Sequence, residues 1–269
     1  MSENETNTSF LGHLEELRWR LVKSAIAVVL VAVSVFIFIE PLTELVLMSM
    51  SRASFPTYKI MCFISNNLGL GDAFCANNIE VKTIETQMTK QFATSIYFSL
   101  VSGIILAFPF LAFQIWSFVK PGLKPKEIKA TRGIVAYSTL LFLTGVGFGY
   151  FIISPLCIQF FGFYKMSQSI ELTPTFTSYY SLIVSSTIAC GLFFQLPIVI
   201  FILTKLGMMT PDVLKKYRKH ALVGILVLAA IITPPDFISQ VIVAIPVSLL
   251  YELSIVISRR VINKQKADV

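Results

Sequence analysis

Long apolar stretches without charged side chains limit the folds open to this chain. Four stretches contain no Asp, Glu, Lys or Arg: residues 25–39, 91–119, 133–164 and 172–204. A helix needs about 20 apolar residues to cross a bilayer, so each stretch is predicted to form one transmembrane helix. Leu21 and Val22 extend the first helix, because the intervening Lys23 can reach the membrane surface with its ammonium group.

The amino-acid composition also indicates a membrane protein. Only 14% of the residues are charged and 55% are hydrophobic, whereas about a quarter of the residues in a soluble domain are charged. The sequence therefore predicts an all-α, polytopic membrane protein. The whole chain, residues 1–269, is predicted to form one integral-membrane domain.

A fifth apolar stretch, residues 221–251, is interrupted by Thr233-Pro234-Pro235-Asp236. Two successive prolines end a helix, and the basic residues on both sides of the stretch favour the cytoplasm. We therefore predict two short helices joined by an extracytoplasmic turn at Pro234, Pro235 and Asp236. Asp236 is interpreted as the N-cap of the second helix, and proton handling is the less favoured alternative. The six predicted spans lie at about 21–39, 92–118, 133–154, 179–204, 220–233 and 238–257.

The basic residues also predict the orientation of the chain. Most of the 22 Lys and Arg residues fall in segments that are cytoplasmic if both termini are cytoplasmic, as the positive-inside rule requires. Their position beside the spans argues against nucleic acid as the reason for the net charge of +7. Residues 40–91 then form a long extracytoplasmic loop.

The cysteines divide into two pairs. Cys62 and Cys75 lie in the long loop, where a disulfide between them and two free thiols are equally weighted alternatives. Cys157 and Cys190 lie in or beside predicted spans and are interpreted as packing residues.

A charged segment, residues 13–20 with the sequence HLEELRWR, lies directly before the first apolar stretch. On a helix its apolar and polar residues separate onto different faces, with Glu16 and Arg20 one turn apart. One interpretation is an interfacial anchor in which Glu16 and Arg20 form an i, i+4 ion pair. The other is a binding site, because charged groups are costly near hydrocarbon and tend to serve a function there.

A second carboxylate, Glu127, is the only acidic residue among the cations between the second and third predicted spans. By itself it is explained as a partner for the helix dipole of the third span. Together, Glu16 and Glu127 lie on the same predicted side of the membrane and can bind two guanidinium groups through charge-assisted, bidentate hydrogen bonds. Lysine cannot reproduce this planar geometry. The pair predicts a peptide ligand rich in arginine.

The remaining polar positions carry no catalytic signal. Gln195 lies in the middle of the fourth predicted span, where hydrogen bonding within the chain and docking of a partner helix are equal alternatives. The sequence lacks Gly-x-Ser-x-Gly and His-Glu-x-x-His motifs, and its 2 His residues exclude a histidine-rich metal site. No catalytic residue, metal site or cofactor is predicted.

Five short motifs occur in order along the chain. They are His13-Leu14-x-Glu16-Leu17-Arg18, Gln114-x-Trp116-x-Phe118-x-x-Pro121-x-Leu123, Gly147-Phe148-x-Tyr150-Phe151, Phe194-Gln195-x-Pro197 and Thr233-Pro234-Pro235-Asp236-x-x-Ser239-Gln240. Together they resemble the TatC family, the six-span receptor of the twin-arginine protein translocase. Two features depart from the family: Met48-Ser-Met-Ser-Arg52 lacks the usual proline after span one, and the outer loop is longer.

The resemblance implies a concave, glove-like bundle of six helices in the bacterial plasma (inner) membrane, with the fifth and sixth helices short. It implies that the cytoplasmic face binds the twin-arginine signal peptides of folded precursors. Single-span TatA- or TatB-type subunits and further copies of the chain would assemble with it for export driven by the proton-motive force. The implied signal-peptide-binding residues are Glu16, Arg18, Phe118, Pro121, Leu123 and Glu127, and the implied partner contact is Gln195.

A secondary transporter of a small solute is the main alternative to a non-enzymatic receptor. Such a transporter is expected to show repeated halves and polar or charged residues near the midplane of the membrane. The sequence shows neither, apart from Gln195 and scattered Ser and Thr residues. A membrane-embedded enzyme is a third alternative, and it lacks a catalytic pair.

Overall fold

The computed structural model describes residues 3–52, 54–67, 83–120, 133–163, 167, 173–232 and 237–267. Within these ranges the regular structure is helical, and β-structure is limited to isolated bridges such as that between Ile84 and Thr175. The α-helices are α1 (Glu3–Ile37), α2 (Ile39–Leu42), α3 (Pro56–Asn67), α4 (Met88–Val119), α5 (Ile134–Phe148), α6 (Ser154–Phe163), α7 (Phe176–Phe193), α8 (Leu196–Lys205), α9 (Pro211–Lys216), α10 (Arg218–Ile232) and α11 (Phe237–Ala267). The predicted all-α class is confirmed for the described residues.

Among the residues that the structure describes, five helical segments are long and apolar enough to cross a membrane. They are Leu14–Ile37, Met88–Val119, Ile134–Gly162, Phe176–Lys205 and Gln240–Asn263. These segments overlap the first four and the last of the predicted spans. The prediction that the sixth helix is short is wrong: α11 has 31 residues, and its 24-residue segment Gln240–Asn263 is long enough to cross a membrane. α10 has 15 residues and is not among the five. The turn predicted after it, at Thr233, Pro234, Pro235 and Asp236, lies outside the described residues. The chain is therefore a multi-pass helical membrane protein.

Contacts within the chain define two compact units. The first comprises Met1–Ile37 and Ile96–Leu140, and the second comprises Phe38–Ser95 and Leu141–Val269. In the first unit α1 packs closely against α4. A Cβ atom added to Gly103 on α4 would lie 2.9 Å from the Val28 carbonyl oxygen and 3.0 Å from Ala32 Cβ. Small side chains at this contact allow the two backbones to approach, as is common where helices pack in lipid.

The second unit contains a similar close contact between α7 and the chain that joins α5 to α6. A Cβ atom added to Gly149 would lie 2.7 Å from Thr187 Cα on α7. Nearby, the hydroxyl oxygens of Ser154 and Ser186 lie 2.9 Å apart, and both side chains are fully buried. Small residues and a hydrogen bond therefore hold these elements together.

The described cysteines follow the expected division. Cys157 and Cys190 are buried and form no disulfide, and they belong to an apolar core with Ala229 of α10 and Val243 of α11. Their interpretation as packing residues is confirmed. Cys62 on α3 is disulfide-bonded, whereas Cys75 lies outside the described residues. The pairing of Cys62 with Cys75 stays a prediction.

The chain between α2 and α3 is irregular but well supplied with hydrogen bonds. It forms a wide π-type turn over Thr43–Leu47 and a tight 3₁₀ turn over Met48–Ser51, which leave backbone carbonyls without the usual helical partners. Tyrosine hydroxyls from three other elements bind these carbonyls: Tyr150 donates to Val46 (2.7 Å), Tyr179 to Leu47 (2.9 Å) and Tyr58 to Met50 (3.1 Å). Burial raises the pKa of Tyr58, so its hydroxyl keeps the proton that it donates.

The segment before α4 is attached to the start of α7. The Ile84 N–H donates to the Pro174 carbonyl at 3.2 Å, and the Phe176 N–H donates to the Ile84 carbonyl at 2.9 Å. The Thr177 hydroxyl donates to Glu85 Oε2 at 2.7 Å, and the backbone N–H groups of the next two residues donate to Oε1. The hydrogen bond from Thr177 is the main reason that the pKa of Glu85 is lowered.

Candidate functional site

Glu16 lies near the start of the apolar part of α1 and is bound by a guanidinium from its own helix. Arg20 Nε donates to Glu16 Oε1 at 3.0 Å, and Arg20 Nη2 donates to the same oxygen at 2.5 Å. The Arg20 side chain is 24% exposed and the Glu16 side chain 39% exposed. The i, i+4 ion pair expected of these residues is present, and it lies where water has only partial access.

Arg20 also connects α1 to α4. Its Nη1 donates to Gln114 Oε1 at 3.4 Å, across 94 positions of sequence. Gln114 is buried, and a buried amide in a membrane helix commonly hydrogen-bonds a polar group of a neighbouring helix. The sequence placed Gln114 in a motif without assigning it a role. The sequence signal that could have indicated a role for Gln114 is its position one helical turn before Phe118.

Arg18 is held by a different carboxylate. Its Nη1 lies 3.4 Å from Glu15 Oε2, and the side chains of Arg18 and Glu15 are 71% and 55% exposed. An exposed pair of this kind contributes about 0–1 kcal/mol to stability. Neighbouring residues of α1 therefore form two ion pairs, of which the Glu16 pair is the more buried.

Phe118 lies in the last turn of α4 and is half-buried. Because it follows Gln114 by four residues, the two side chains share one face of the helix. The structure thus brings Glu16, Arg20 and Gln114 into direct contact, and Phe118 lies one turn further along α4. We call these four residues the α1–α4 cluster.

Other predicted site residues cannot be placed in this cluster. Pro121, Leu123 and Glu127 lie outside the described residues. The second carboxylate of the predicted pair therefore stays a prediction, as do the roles of the residues between it and Phe118.

Gln195 lies at a break in the fourth long apolar segment. α7 ends at Phe193 and α8 begins at Leu196, because Pro197 has no N–H to continue the helical hydrogen bonds. The Gln195 carbonyl accepts from the N–H groups of Ile198 and Val199, both at 3.0 Å. The half-buried Gln195 residue thus lies at the junction of two helices within one membrane segment.

The described site carries groups that can bind a cation. The α1–α4 cluster offers a carboxylate, an amide and an aromatic ring. Among the residues that the structure describes, no group of three or more His, Cys, Asp or Glu side chains is placed to hold a metal ion. Charge-assisted hydrogen bonds to a guanidinium are the interaction that this arrangement favours.

Comparison with known proteins identifies the family. The family model described as Sec-independent protein translocase protein (TatC) matches residues 12–246. A TatC protein of Blattabacterium sp. subsp. Periplaneta americana is 34% identical over 268 residues, covering 98% of this chain and 100% of that protein. The TatC protein of Desulforapulum autotrophicum is 36% identical over 267 residues, covering 99% of this chain and 89% of that protein.

Solved structures agree with the sequence match. A crystal structure of the twin-arginine translocase receptor TatC has a TM-score of 0.70 and 32% identity, and the match covers 92% of this chain and 98% of that chain. A crystal structure of the receptor in DDM has a TM-score of 0.72 and 32% identity, covering 91% of this chain and 99% of that chain. This chain therefore belongs to the TatC family, and it is a multi-pass, non-enzymatic membrane component of the Sec-independent, twin-arginine protein translocase.

Proposed function

We propose that this chain is the core receptor subunit of the translocase and binds the twin-arginine signal peptides of folded precursor proteins. The observation that carries the proposal is the Glu16 carboxylate, which is half-buried and binds a guanidinium through two hydrogen bonds. An arginine of a signal peptide presents the same group. Solved structures of similar chains are named as twin-arginine translocase receptors.

In this proposal Glu16 binds one arginine and Glu127 binds the other. A hydrogen bond to a charged group contributes on the order of 1–3 kcal/mol, and less where solvent reaches it. Phe118, Pro121, Leu123 and Arg18 are proposed to contact the signal peptide as well. Lysine binds more weakly because an ammonium group cannot form the planar, two-bond contact of a guanidinium.

The proposed topology has six spans in a concave, glove-like bundle that forms a single integral domain. The 15 residues of α10 would extend about 22 Å, against a hydrocarbon core of about 30 Å. Local thinning of the bilayer accommodates such a short span. Lys215 and Lys216 before α10, and Arg259 and Arg260 near the end of the last span, favour the cytoplasm for both ends of this helix pair. Both termini are then cytoplasmic, in a bacterial plasma membrane.

Single-span subunits of the TatA or TatB type are the proposed partners, together with further copies of this chain. Gln195 is proposed to contact such a subunit. Its support is a half-buried polar residue at a helix break inside an apolar segment, because polar side chains in membrane helices commonly hydrogen-bond a neighbouring helix. Export of the bound precursor is proposed to use the proton-motive force.

Photocrosslinking from position 118 tests the receptor function. The full-length chain, with a photoreactive amino acid in place of Phe118, is offered precursors that carry a twin-arginine or a twin-lysine signal peptide. We expect crosslinks to the arginine form and few to the lysine form. Glu16→Gln should reduce the crosslinks, whereas the matched control Glu15→Gln, at an exposed position beside it, should not. Equal crosslinking of the two signal peptides, or none by correctly inserted protein, would contradict the proposal.

A further inference from the structure

Arg20 presents to Glu16 the same chemical group that the proposed ligand presents. Two nitrogens of its guanidinium donate to Glu16 Oε1, and the third, Nη1, donates to Gln114 Oε1 on α4. The guanidinium is therefore held from two helices. A ligand arginine that forms a bidentate contact with both oxygens of Glu16 must therefore displace Arg20 from Oε1.

The Arg20–Glu16 ion pair is weak enough for a ligand to replace Arg20. Both side chains are partly open to water, at 24% for Arg20 and 39% for Glu16. An i, i+4 ion pair under these conditions is weak. Arg20 also has a second acceptor in Gln114, so it is not left without a hydrogen bond when a ligand takes Glu16.

Resting on the proposed receptor function, we propose that Arg20 is an internal competitor for Glu16 and sets the affinity threshold of the signal-peptide site. Only the fraction of molecules in which Arg20 has released Glu16 Oε1 can bind a ligand at that oxygen. The apparent dissociation constant is the intrinsic constant divided by that fraction. A weak pair corresponds to an apparent affinity lowered about two- to fivefold.

This competition has a particular signature. It lowers the affinity of every cation that takes Glu16 Oε1 by the same factor, because the release of Arg20 from that oxygen is a common step. The ratio between the affinities of arginine and lysine ligands is therefore unchanged. At a limiting receptor concentration, however, the weaker lysine ligands fall below detectable capture, and the site becomes effectively selective.

The test measures the dissociation constants of fluorescent twin-arginine and twin-lysine signal peptides for the full-length chain in lipid nanodiscs. The variants are Arg20→Gln, Glu16→Gln and the double variant. Lys23→Gln is the matched control, since Lys23 is an exposed cation on the same helix, three residues away. If Arg20→Gln does not insert into the membrane, Arg20→Lys is used as a second variant, because it keeps the positive charge and removes the planar guanidinium.

Arg20→Gln is expected to tighten the binding of both peptides by about two- to fivefold without changing their ratio. Lys23→Gln should produce a smaller gain that disappears as salt screens the exposed charges. In the Glu16→Gln background the gain from Arg20→Gln should be lost, because the competition acts through that carboxylate.

The outcomes separate this inference from the receptor function. Binding that is weakened or unchanged by Arg20→Gln, while Glu16→Gln weakens it, would overturn the competition and leave the receptor function standing. A gain that persists without Glu16 would assign the effect to net charge and also overturn it. If Glu16→Gln changes the affinity for neither peptide, the proposed site itself is wrong.

Discussion

At the scale of single residues, hydroxyl groups complete the hydrogen bonding of an irregular backbone. Tyr150, Tyr179 and Tyr58 donate to three carbonyls between α2 and α3. A buried carbonyl without a partner costs about 1–3 kcal/mol, so the tyrosines allow the chain to depart from a regular helix here. This contribution belongs to the phenolic oxygen and not to the ring.

Replacement of one hydroxyl tests this account. Tyr179→Phe removes the 2.9 Å hydrogen bond to the Leu47 carbonyl and keeps the ring. We expect the free energy of unfolding to fall by about 1–3 kcal/mol, measured as a lower midpoint of thermal unfolding in detergent. Tyr137→Phe, at an exposed tyrosine of α5, is the control and should have little effect. Equal midpoints for the two variants would show that the Tyr179 hydroxyl is not needed.

At the scale of elements, the segment 83–87 is joined to the start of α7 by backbone and side-chain hydrogen bonds. The carboxylate of Glu85 accepts the Thr177 hydroxyl, and this lowers the pKa of Glu85 in the folded chain. A lowered folded-state pKa means that the carboxylate stabilises the fold above its unfolded-state pKa of about 4.3. The stabilisation is lost as the pH falls through the folded-state value.

The stability of this junction should therefore depend on acid pH. We expect Glu85→Gln to lower the midpoint of thermal unfolding at about pH 7 and to have a smaller effect near pH 3, where the native carboxylate is increasingly protonated. Glu40→Gln, at an exposed acidic residue of α2, is the control. If Glu85→Gln lowers the midpoint of thermal unfolding equally at both pH values, the loss of stability comes from shape or packing and not from the charge of Glu85.

At the scale of the whole molecule, the number of membrane crossings decides which surfaces face the same compartment. In the described part of the chain, five helical segments meet the length of a span, and α10 is shorter. In the proposed topology α10 crosses the membrane, so that the segment before it and the end of α11 lie on the same side. If α10 did not cross, those two positions would lie on opposite sides.

Labelling of single cysteines distinguishes the two arrangements. Ser167→Cys, Asp212→Cys and Asn263→Cys introduce a thiol at exposed positions, and a membrane-impermeant maleimide is applied to intact cells. We expect labelling of Ser167→Cys alone, with the other two labelled only after the membrane is permeabilised. Labelling of Asn263→Cys but not of Asp212→Cys in intact cells would contradict the sixth span.

Different parts of the α1–α4 cluster could be predicted to different degrees. The Glu16–Arg20 pair follows from their spacing, because residues four apart are neighbours on any α-helix. The contact of Arg20 with Gln114 spans 94 positions and depends on how α1 packs against α4. The helix break at Gln195, outside the cluster, could be predicted in part. Pro197 indicates a break in the helix, but the tertiary structure shows where α7 ends and α8 begins.

The sequence alone determined the membrane class and the first four long spans, because a helix satisfies its own backbone in lipid and its presence depends on local composition. The length of the last span, within α11, was not predicted. It also determined the family, through short motifs in a defined order. The tertiary structure decided which polar groups meet: Arg20 with Gln114, and the tyrosine hydroxyls with the carbonyls before α3. Those contacts join residues far apart in the chain, and only the packing of helices brings them within hydrogen-bonding distance.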